Sequence, residues 1–562
     1  MVTTQNGAGT QHSAINWQSF SVPAGSFTRF NQPGATSSSI NRVVGADPSS
    51  IFGTLSSNGK LVLVNPAGIT VGAGAVVDTA AFTASTLRMT DADALAGRLV
   101  FGGDGLGSAG MLADGGMVAR SGDVVLIAPN VQVGSQALIR SPNGATVLAA
   151  GQKVAMTGRG LEGIRLELQA PADQAVNLGT LQGDAVGIFA GQLRHSGLIQ
   201  AAAVSREGGK VLLIGAESAD IQGTVTAIND ARGGQVHVSA GKVRLRSGAM
   251  IDASAPEGGG EALIGGGWQG KDARLASASE TLVEAGASVR ADSSNAGNGG
   301  TIVAWSNDAT RMYGHLSARG GDNGGNGGKI ETSGHYLDMQ GTVDTRAPQG
   351  RIGNLLLDPT NVYIALTPTR LGVPVSASPV PVPAPPAPAS VTLAAVGPGA
   401  DSVLLTGALQ TLLVGSSVVV TTSPGATGTG TITVLDAVSW NTPTSLTLVA
   451  DDKILVNAAI TSSGGGALSL QAKTSIAVNA PIAPAPTAPP ISVSLRAQTD
   501  ITQTAPITAL QLLAVSTAGN VTLTNAGNSV STLAGSAGPS GTFAFTNSGS
   551  LVIGPITDPV ST

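Results

Sequence analysis

Short runs of alternating apolar and polar residues recur through the C-terminal part of the chain. "LTLVADDKILVNAAI", residues 446–460, returns 22 positions later as "LSLQAKTSIAVNAPI", residues 468–482. A third copy, "VSLRAQTDITQTAPI", residues 493–507, follows after 25 positions. Each copy holds an alternating run, a polar corner and a second short run that ends in Ile. Alternation of period two predicts strands with one buried face and one face in water.

This repeat also predicts which side chains stack on one another. Ile454 should lie over Ile476, and Ile460 over Ile482, whereas Thr474 should point into solvent. Strand pairs at a period of about 20 to 28 residues, without a helical segment between them, are typical of the coils of a parallel β-solenoid. Leucine-rich repeats need regular Leu spacing and a helix, and a β-sandwich would not keep Ile over Ile.

Pairs of glycines open comparable but looser units in the middle of the chain. They lead into the apolar runs "KVLLIGA", "QVHVSAG", "EALIGGG", "TIVAWSN" and "KIETSGH". The pairs are Gly208-Gly209, Gly233-Gly234, Gly259-Gly260, Gly299-Gly300 and Gly327-Gly328. Glycine is favoured at corners that need a positive φ or a close approach of two backbones. The prediction is an elongated all-β protein, a parallel β-helix.

Changes in composition predict four parts. Residues 1–205 form a less regular N-terminal unit, and residues 206–364 carry the glycine-pair coils. Residues 365–390 are Pro-rich and are predicted to be a stiff spacer or an excursion from the coils. Residues 391–562 hold further coils and end without an obvious cap, from which we expect the natural protein to continue.

Composition narrows the function classes. The chain has 562 residues, of which 42% are hydrophobic and 11% charged, with 78 Gly and no Cys. Low charge with many Val, Ile, Leu and Thr excludes a disordered chain, and the absence of Cys excludes disulfides and thiolate chemistry. The net charge of -5, without a basic stripe, argues against nucleic-acid binding. No apolar stretch reaches the length of a transmembrane helix.

The N-terminal region resembles the secretion domain of filamentous haemagglutinin-like exoproteins, which belong to two-partner secretion systems of Gram-negative bacteria. The resemblance rests on three stretches. They are "INWQSF" at residues 15–20, "RFNQPGATSSSINRVVGADPSSIFGTLSSNGKLVLVNPAGITVGAGAVV" at residues 29–77, and "FTASTL" at residues 82–87. The usual "NPNGI" of that family reads "NPAGI" here, with Ala67 in place of the second Asn. The export signal that the family implies is not visible in residues 1–17.

Residues 299–364 are similar to a segment that follows the secretion domain in adhesins of the high-molecular-weight type. The two resemblances imply a right-handed parallel β-helix, in agreement with the general handedness of parallel crossovers. They also imply recognition by an outer-membrane transporter of the Omp85 class (TpsB), a secreted or cell-surface location, and adhesion to a receptor on a host cell or another surface, whether glycan or protein. We expect a monomer.

The "NPAGI" corner is the candidate transporter-recognition or turn motif. Pro66 fixes φ and has no N–H to donate, so it should end the preceding strand. Asn65 can bond its own backbone two residues on. Gly68 permits the turn, and Ile69 returns to the core. The corner is either a well-made turn or also an exposed feature that the transporter reads.

Enzyme chemistry has little support in the sequence. The pair Asp451-Asp452 lies at a repeat corner whose next copy reads Lys473-Thr474, which favours a solvated turn over catalytic carboxylates. "GLGSAG", residues 105–110, fits GxGxxG but is not followed by a helix-forming segment. The histidines show no metal-ligand spacing: His12, His195, His237, His315 and His335. We therefore expect no enzyme activity, no metal and no cofactor.

Three functions stay open at this point. The first is a secreted adhesin, and the second is the stalk of a contact-dependent toxin of the same secretion class. The third is a polysaccharide-active β-helix enzyme. Because no nucleotide is present beside an outer-membrane transporter, stepwise folding of coils outside the cell would drive export, with residues 15–205 as signal and folding template.

Overall fold

The computed structural model describes residues 1–102, 109–203, 209–229, 231–367, 401–423 and 428–557. Its two α-helices within these ranges are α1 (Asp91–Ala96) and α2 (Thr406–Gly415). The earlier strands, in chain order, are β1 (Val2–Thr3), β2 (His12–Trp17), β3 (Phe27–Asn31), β4 (Ser38–Val43), β5 (Ser49–Ile51), β6 (Thr54–Ser57), β7 (Lys60–Val64), β8 (Ile69–Val71), β9 (Val76–Thr79), β10 (Ala81–Ser85), β11 (Leu99–Gly102), β12 (Met111–Ala113), β13 (Gly116–Ala119), β14 (Val124–Ala128), β15 (Asn130–Val133), β16 (Leu138–Ala150), β17 (Lys153–Met156), β18 (Ile164–Leu168), β19 (Gln174–Asn177), β20 (Thr180–His195), β21 (Leu198–Ala203), β22 (Lys210–Ile221), β23 (Thr224–Asn229), β24 (Gln235–Ser239), β25 (Lys242–Leu245), β26 (Met250–Asp252) and β27 (Glu261–Ile264).

The later strands are β28 (Glu280–Val283), β29 (Ser288–Arg290), β30 (Thr301–Trp305), β31 (Ala309–Met312), β32 (His315–Ser317), β33 (Lys329–Ser333), β34 (Tyr336–Met339), β35 (Thr342–Asp344), β36 (Asn354–Leu357), β37 (Val362–Ala365), β38 (Ser402–Leu405), β39 (Ser417–Thr421), β40 (Ile432–Val434), β41 (Val438–Trp440), β42 (Leu446–Ala450), β43 (Ile454–Val456), β44 (Ile460–Ser462), β45 (Leu468–Ala472), β46 (Ile476–Val478), β47 (Ile482–Pro484), β48 (Ser492–Ala497), β49 (Ile501–Gln503), β50 (Thr508–Ser516), β51 (Val521–Leu523), β52 (Ser529–Ser536), β53 (Phe543–Phe545) and β54 (Val552–Ile553). The chain divides into two compact units. Unit 1 is Met1–Gly265, Arg274–Ala278 and Gly286–Asn295, and unit 2 is Gly266–Ala273, Ser279–Ala285 and Ala296–Thr562.

Unit 1 is a parallel β-helix whose coils each contribute three short strands. One coil consists of β7, β8 and β9, and each of these strands pairs in parallel with a strand of the next coil. The coils thus form three parallel ladders. The first ladder contains β7, the second β8 and the third β9. The all-β parallel β-helix predicted from the alternating pattern is confirmed.

Unit 2 repeats the same construction with the predicted register. Ile454 pairs with Ile476, and Ile460 pairs with Ile482. The spacings of 22 and 25 residues also hold, because Leu468 pairs with Leu446 in the coil before it and Val493 in the coil after it. All four stacked isoleucines are fully buried. One detail of the prediction is wrong. Thr474 is half-buried rather than exposed, and its Oγ1 donates to the Asp452 carbonyl at 2.8 Å.

The glycine pairs mark places where successive coils approach closely. A Cβ on Gly234 would lie 2.2 Å from the Gly209 carbonyl oxygen, and one on Gly260 would lie 2.0 Å from the Gly234 carbonyl oxygen. Gly328 in unit 2 stands in the same relation to Gly300, at 2.1 Å. Close backbone approach, rather than a positive φ, is therefore the reason for these glycines.

A small extra layer covers the outward face of the first ladder in unit 1. β11, β17 and β18 form an antiparallel sheet, and α1 precedes it. Residues of the layer and outward-facing residues of the ladder share one buried apolar cluster, which includes Val62, Val64, Phe101, Val125, Ile127, Val147, Val154 and Leu161. The sequence indicated only that this region is less regular. The repeat pattern predicted neither the layer nor α1.

Helix α2 is a second element that the repeat pattern did not predict. It follows β38 and buries Leu409, Leu412 and Leu413 completely. Residues 368–400, which hold most of the Pro-rich spacer, lie outside the described residues. The flanking strands β37 and β38 pair in parallel, with Val362 opposite Ser402. The coils before and after the spacer stack through β36 on β39 and β37 on β40. The limits of the four predicted parts stay predictions.

Burial shifts the pKa of two side chains in the described coils strongly, His195 and Glu331. His195, in β20, accepts from Asn177 Nδ2 at its Nδ1 (3.1 Å) and donates from its Nε2 to the Thr224 carbonyl (3.2 Å), and burial lowers its pKa to about 4. Glu331, in β33, is covered by the turn Trp268–Gly270, and its Oε2 accepts the Gln269 N–H at 2.8 Å. Burial raises the pKa of the Glu331 carboxyl to about 7, and the charge of Asp358 acts in the same direction.

The stacked register predicts a position-dependent cost of truncation. Ile476→Ala should lower the free energy of unfolding by about 2 to 5 kcal/mol, because a buried Ile leaves a cavity between coils. Thr502→Ala should change it by less than about 0.5 kcal/mol, because Thr502 points outward from the adjacent β49. Chemical denaturation and amide exchange of β46 would measure both. Equal losses from the two substitutions would contradict the register.

The buried Glu331 predicts a loss of stability as the pH rises. Between about pH 4.5 and pH 7 the folded state keeps a proton that the unfolded state has released, so stability falls across this window by up to about 3 kcal/mol. Glu331→Gln should therefore raise the Tm at about pH 8 and leave it unchanged near pH 4. Glu257→Gln, at an exposed carboxylate, is the control. A Glu331→Gln effect of the same size at both pH values would refute this assignment.

Candidate functional site

The "NPAGI" corner connects β7 to β8 within the N-terminal coils. β7 ends at Val64, and the chain turns through Asn65 and Pro66 before β8 begins at Ile69. The Gly68 N–H donates to the Asn65 carbonyl at 3.1 Å, which closes a four-residue turn. Pro66 occupies the second position of this turn, where its fixed φ is favoured.

Asn65 is completely buried, and it bonds both neighbouring coils. Its Nδ2 donates to the Asp47 carbonyl at 3.0 Å and to Ser49 Oγ at 2.9 Å. Its backbone N–H donates to the Ser85 carbonyl at 2.9 Å. Its Oδ1 accepts the Ala67 N–H at 3.0 Å, the bond two residues on that the sequence indicated. One side chain therefore holds the turn and fixes it to the coil before.

The remaining residues of the corner complete its fit between coils. Gly68 has a φ of 122°, which favours glycine, and a Cβ there would lie 3.3 Å from Ala109 Cβ. The Pro66 carbonyl accepts the Ala109 N–H at 3.2 Å. Ile69 is 1% exposed. The four predicted site residues thus form one structural unit.

Only a small part of the corner reaches solvent. Pro66 and Ala67 are half-buried, whereas Asn65, Gly68 and Ile69 are buried. A transporter could touch the corner only through Pro66 and Ala67. Asn479, which follows β46 in a later coil, is different. It is exposed, and its Nδ2 donates to Asn457 Oδ1 at 2.9 Å.

The side chains considered for enzyme chemistry are engaged in structure. Asp451 accepts from Lys473, and Asp452 accepts from Thr431 Oγ1 at 3.0 Å and from Thr474 Oγ1 at 2.8 Å. Both carboxylates lie at a corner and serve its hydrogen bonds. Most of the glycine-rich segment 105–110 lies outside the described residues.

The histidines are spread over separate coils. His237 Nε2 bonds Glu261 at 2.8 Å, and this bond is the main reason why the pKa of Glu261 is lowered. His12 Nε2 bonds the Leu95 carbonyl at 2.9 Å. Across the described ranges, no group of three or more His, Cys, Asp or Glu side chains could hold a metal ion. In the same part of the chain, no helix is long and apolar enough to cross a bilayer.

Comparison with known proteins gives a family match to the N-terminal region and a match to a solved structure. Residues 1–262 match the family model described as the TPS secretion domain. The crystal structure of the HMW1 secretion domain from Haemophilus influenzae superposes with a TM-score of 0.55 at 31% identity, over 60% of this chain and 91% of that chain.

Two curated relatives from Haemophilus influenzae, one of them from strain Rd, are both named heme/hemopexin-binding protein. They are 39% identical over 77 residues and 36% identical over 78 residues. Each alignment covers 14% of this chain and 8% of the relative, so the match spans less than a tenth of those proteins.

The parallel coils, the corner geometry and these matches agree with one another. The resemblance noted from the sequence is confirmed by the family match over residues 1–262 and by the solved HMW1 domain. The chain belongs to the exoproteins of two-partner secretion systems, and residues 1–262 are its TPS secretion domain.

Proposed function

We propose that this chain is a secreted or surface-held adhesin that an Omp85-type (TpsB) transporter exports across the outer membrane. The observation that carries the export part is the match of the TPS secretion domain to residues 1–262. The adhesive part is supported by the resemblance of residues 299–364 to high-molecular-weight adhesins. It is further supported by the outward faces of the coils, which repeat rows of side chains suited to a broad contact surface.

Stacking energetics supply a driving force for export. A coil that forms on an existing neighbour gains its inter-coil hydrogen bonds and buried side chains at once, whereas the first coil has no such template. The N-terminal coils therefore act as the template for the coils that follow. Asn65 holds its own coil on the coil before it, through Asp47 and Ser49. We infer that this corner is needed for export because it fixes an early coil.

Substitution of Asn65 tests this role. Asn65→Ile should lower the amount secreted through the partner transporter, because the Asp47 carbonyl and the Ala67 N–H lose their partner at a cost of about 1 to 3 kcal/mol each. Asn479→Ile should secrete at the parent level, because that side chain is exposed. Immunoblots of culture medium and cells would measure both. Full secretion of Asn65→Ile would remove the corner from the mechanism.

A second pair of variants separates folding from recognition. Ala67→Asn restores the residue usual in the family and should secrete normally. Ala67→Lys adds a charge to the half-buried face of the turn while the Ala67 N–H keeps its acceptor. If the transporter reads this face, Ala67→Lys secretes poorly although its Tm is that of the parent. Normal secretion of Ala67→Lys would assign the corner to folding alone.

Adhesion itself is tested with the purified chain. It should bind cultured host cells saturably, and an excess of unlabelled chain should compete. As a control, the full chain with Asn65→Ile would show whether binding needs an intact N-terminal coil. Absence of saturable binding, with export intact, would rule out the adhesive role. The function to test next would then be the stalk of an exported toxin. Turnover of polysaccharides by the chain would replace adhesion with an enzyme activity.

Heme or hemopexin binding is a second candidate, favoured by the two curated relatives named heme/hemopexin-binding protein. Their aligned stretch covers 8% of each relative, so a secretion domain that this chain shares with the two relatives would explain the match equally well. Titration with heme, followed by its absorption band, decides between the two. A saturable spectral change at one heme per chain would favour this candidate.

A further inference from the structure

A groove lies on the outward face of the third ladder of unit 1, away from the "NPAGI" corner. Its volume is about 300 Å³, at the lower end of the range for small-molecule sites. We call it the Arg140 groove, and its lining residues come from β16, β20, β21 and β23. Four successive strands of one ladder thus contribute to a single concave surface.

One wall of the Arg140 groove is polar. Arg140 pairs in register with Gln182, Gln182 with Gln200, and Gln200 with Thr226, so one polar side chain per strand lines this wall. Neighbouring strands are about 4.8 Å apart, which sets the spacing of these groups. The Gln182 Nε2 donates to Gln200 Oε1 at 2.5 Å. Since a primary amide has two donors and two acceptor lone pairs, this bond leaves the amide pair able to donate and accept further.

Arg140 brings a positive charge that no described side chain neutralises. Its side chain is exposed, and within the described residues it has no hydrogen-bond or ion-pair partner. Some other arginines of unit 1 are paired, for example Arg120 with Asp78 at 2.5 Å, and Arg246 with Asp220. The described residues that line the Arg140 groove include no carboxylate. The groove therefore favours an anionic ligand, and a planar guanidinium fits a carboxylate through two parallel hydrogen bonds.

The wall two positions further along these strands is apolar. Pro142, Ala202 and Ile228 line it; they follow Arg140, Gln200 and Thr226 by two residues, and Ala202 pairs in register with Ile228. Ile228 is 43% exposed, although it lies on a folded strand. The ligand that fits has a hydroxyl-rich edge for the amides, a C–H face for the apolar wall and a carboxylate for Arg140. A pyranose ring that carries a carboxylate has all three.

We propose that the Arg140 groove binds an acidic carbohydrate, with its carboxylate on Arg140 and its hydroxyl groups on the Gln182–Gln200 amide pair. The chain of sugars runs along the row of strands. This site deepens the proposed adhesive function, on which it rests, by assigning the chemistry of the receptor. An acidic peptide would satisfy Arg140 but would not match the amide wall and the apolar wall together.

The test uses the full chain and defined probes. Calorimetry measures binding of tetragalacturonate, of its neutral methyl ester and of a tetraglutamate peptide. Arg140→Gln should weaken tetragalacturonate binding by about tenfold or more, as expected for the loss of a charge-assisted contact. Arg290→Gln is the matched control, because Arg290 is an exposed arginine on the same ladder, outside the groove. It should bind as the parent does.

A second variant keeps the test independent of the arginine. Ile228→Glu places a carboxylate on the apolar wall at an exposed position. It should weaken the binding of tetragalacturonate as much as Arg140→Gln does, because like charges repel. Thermal melting checks that each variant is folded. Equal losses from Arg140→Gln and Arg290→Gln would overturn the site in favour of a general charge effect. So would methyl ester or peptide binding as tight as that of tetragalacturonate, or an absence of tetragalacturonate binding.

Cell adhesion by the same variants separates this proposal from the proposed function. If the parent chain adheres to cells but does not bind tetragalacturonate, the groove assignment fails and adhesion stands. If the parent chain binds tetragalacturonate but not cells, the groove stands and the adhesive function fails. Adhesion that Arg140→Gln weakens and Arg290→Gln does not would support both.

Discussion

The stacking of each coil on its neighbour is the interaction on which the rest of this structure depends. A single coil has three short strands and cannot satisfy its backbone groups or bury its apolar side chains alone. Its partners lie one coil before and one coil after, as the pairing of β7 with β4 and β10 shows. Stability is therefore a sum over neighbouring coils, and an error in one coil weakens the two interfaces that it shares.

The same constraint explains the unusual composition. Successive backbones approach so closely at the glycine pairs that a Cβ on Gly234 would meet the Gly209 carbonyl at 2.2 Å. Inward positions repeat from coil to coil, so the core is a column of similar residues, as with Ile454 and Ile476. Outward positions are free of this constraint. They can vary without loss of fold, which is why a groove such as the one at Arg140 can arise on a coil face.

Much of the architecture was predictable because the repeat is visible in the sequence. The 22- and 25-residue spacings of the C-terminal copies predicted the register that the strands show. The "NPAGI" turn was predictable because Asn, Pro and Gly each have a local conformational reason to be there. The complete burial of Asn65 was not, since it depends on Asp47 and Ser49 of another coil.

Elements outside the repeat were missed for physical reasons that differ from case to case. Helix α1 has a local signal: Thr90 Oγ1 accepts the Asp93 N–H at 3.0 Å, and Gly97 ends the helix at a φ of 68°. Helix α2 has no side-chain cap and no charged residue, so only burial of its leucines identifies it. The Arg140 groove has no sequence signal, because its residues come from four strands that only the ladder register brings together.

Pulse-labelled hydrogen exchange during refolding tests the central claim that each early coil folds on the coil before it. Protection would be compared in three strands of the first ladder in unit 1: β7, β14 and β24. The account predicts that protection appears in this order, and that Asn65→Ile delays β14 and β24 as well as β7. Simultaneous protection of all three strands, or protection of β24 before β7, would contradict it.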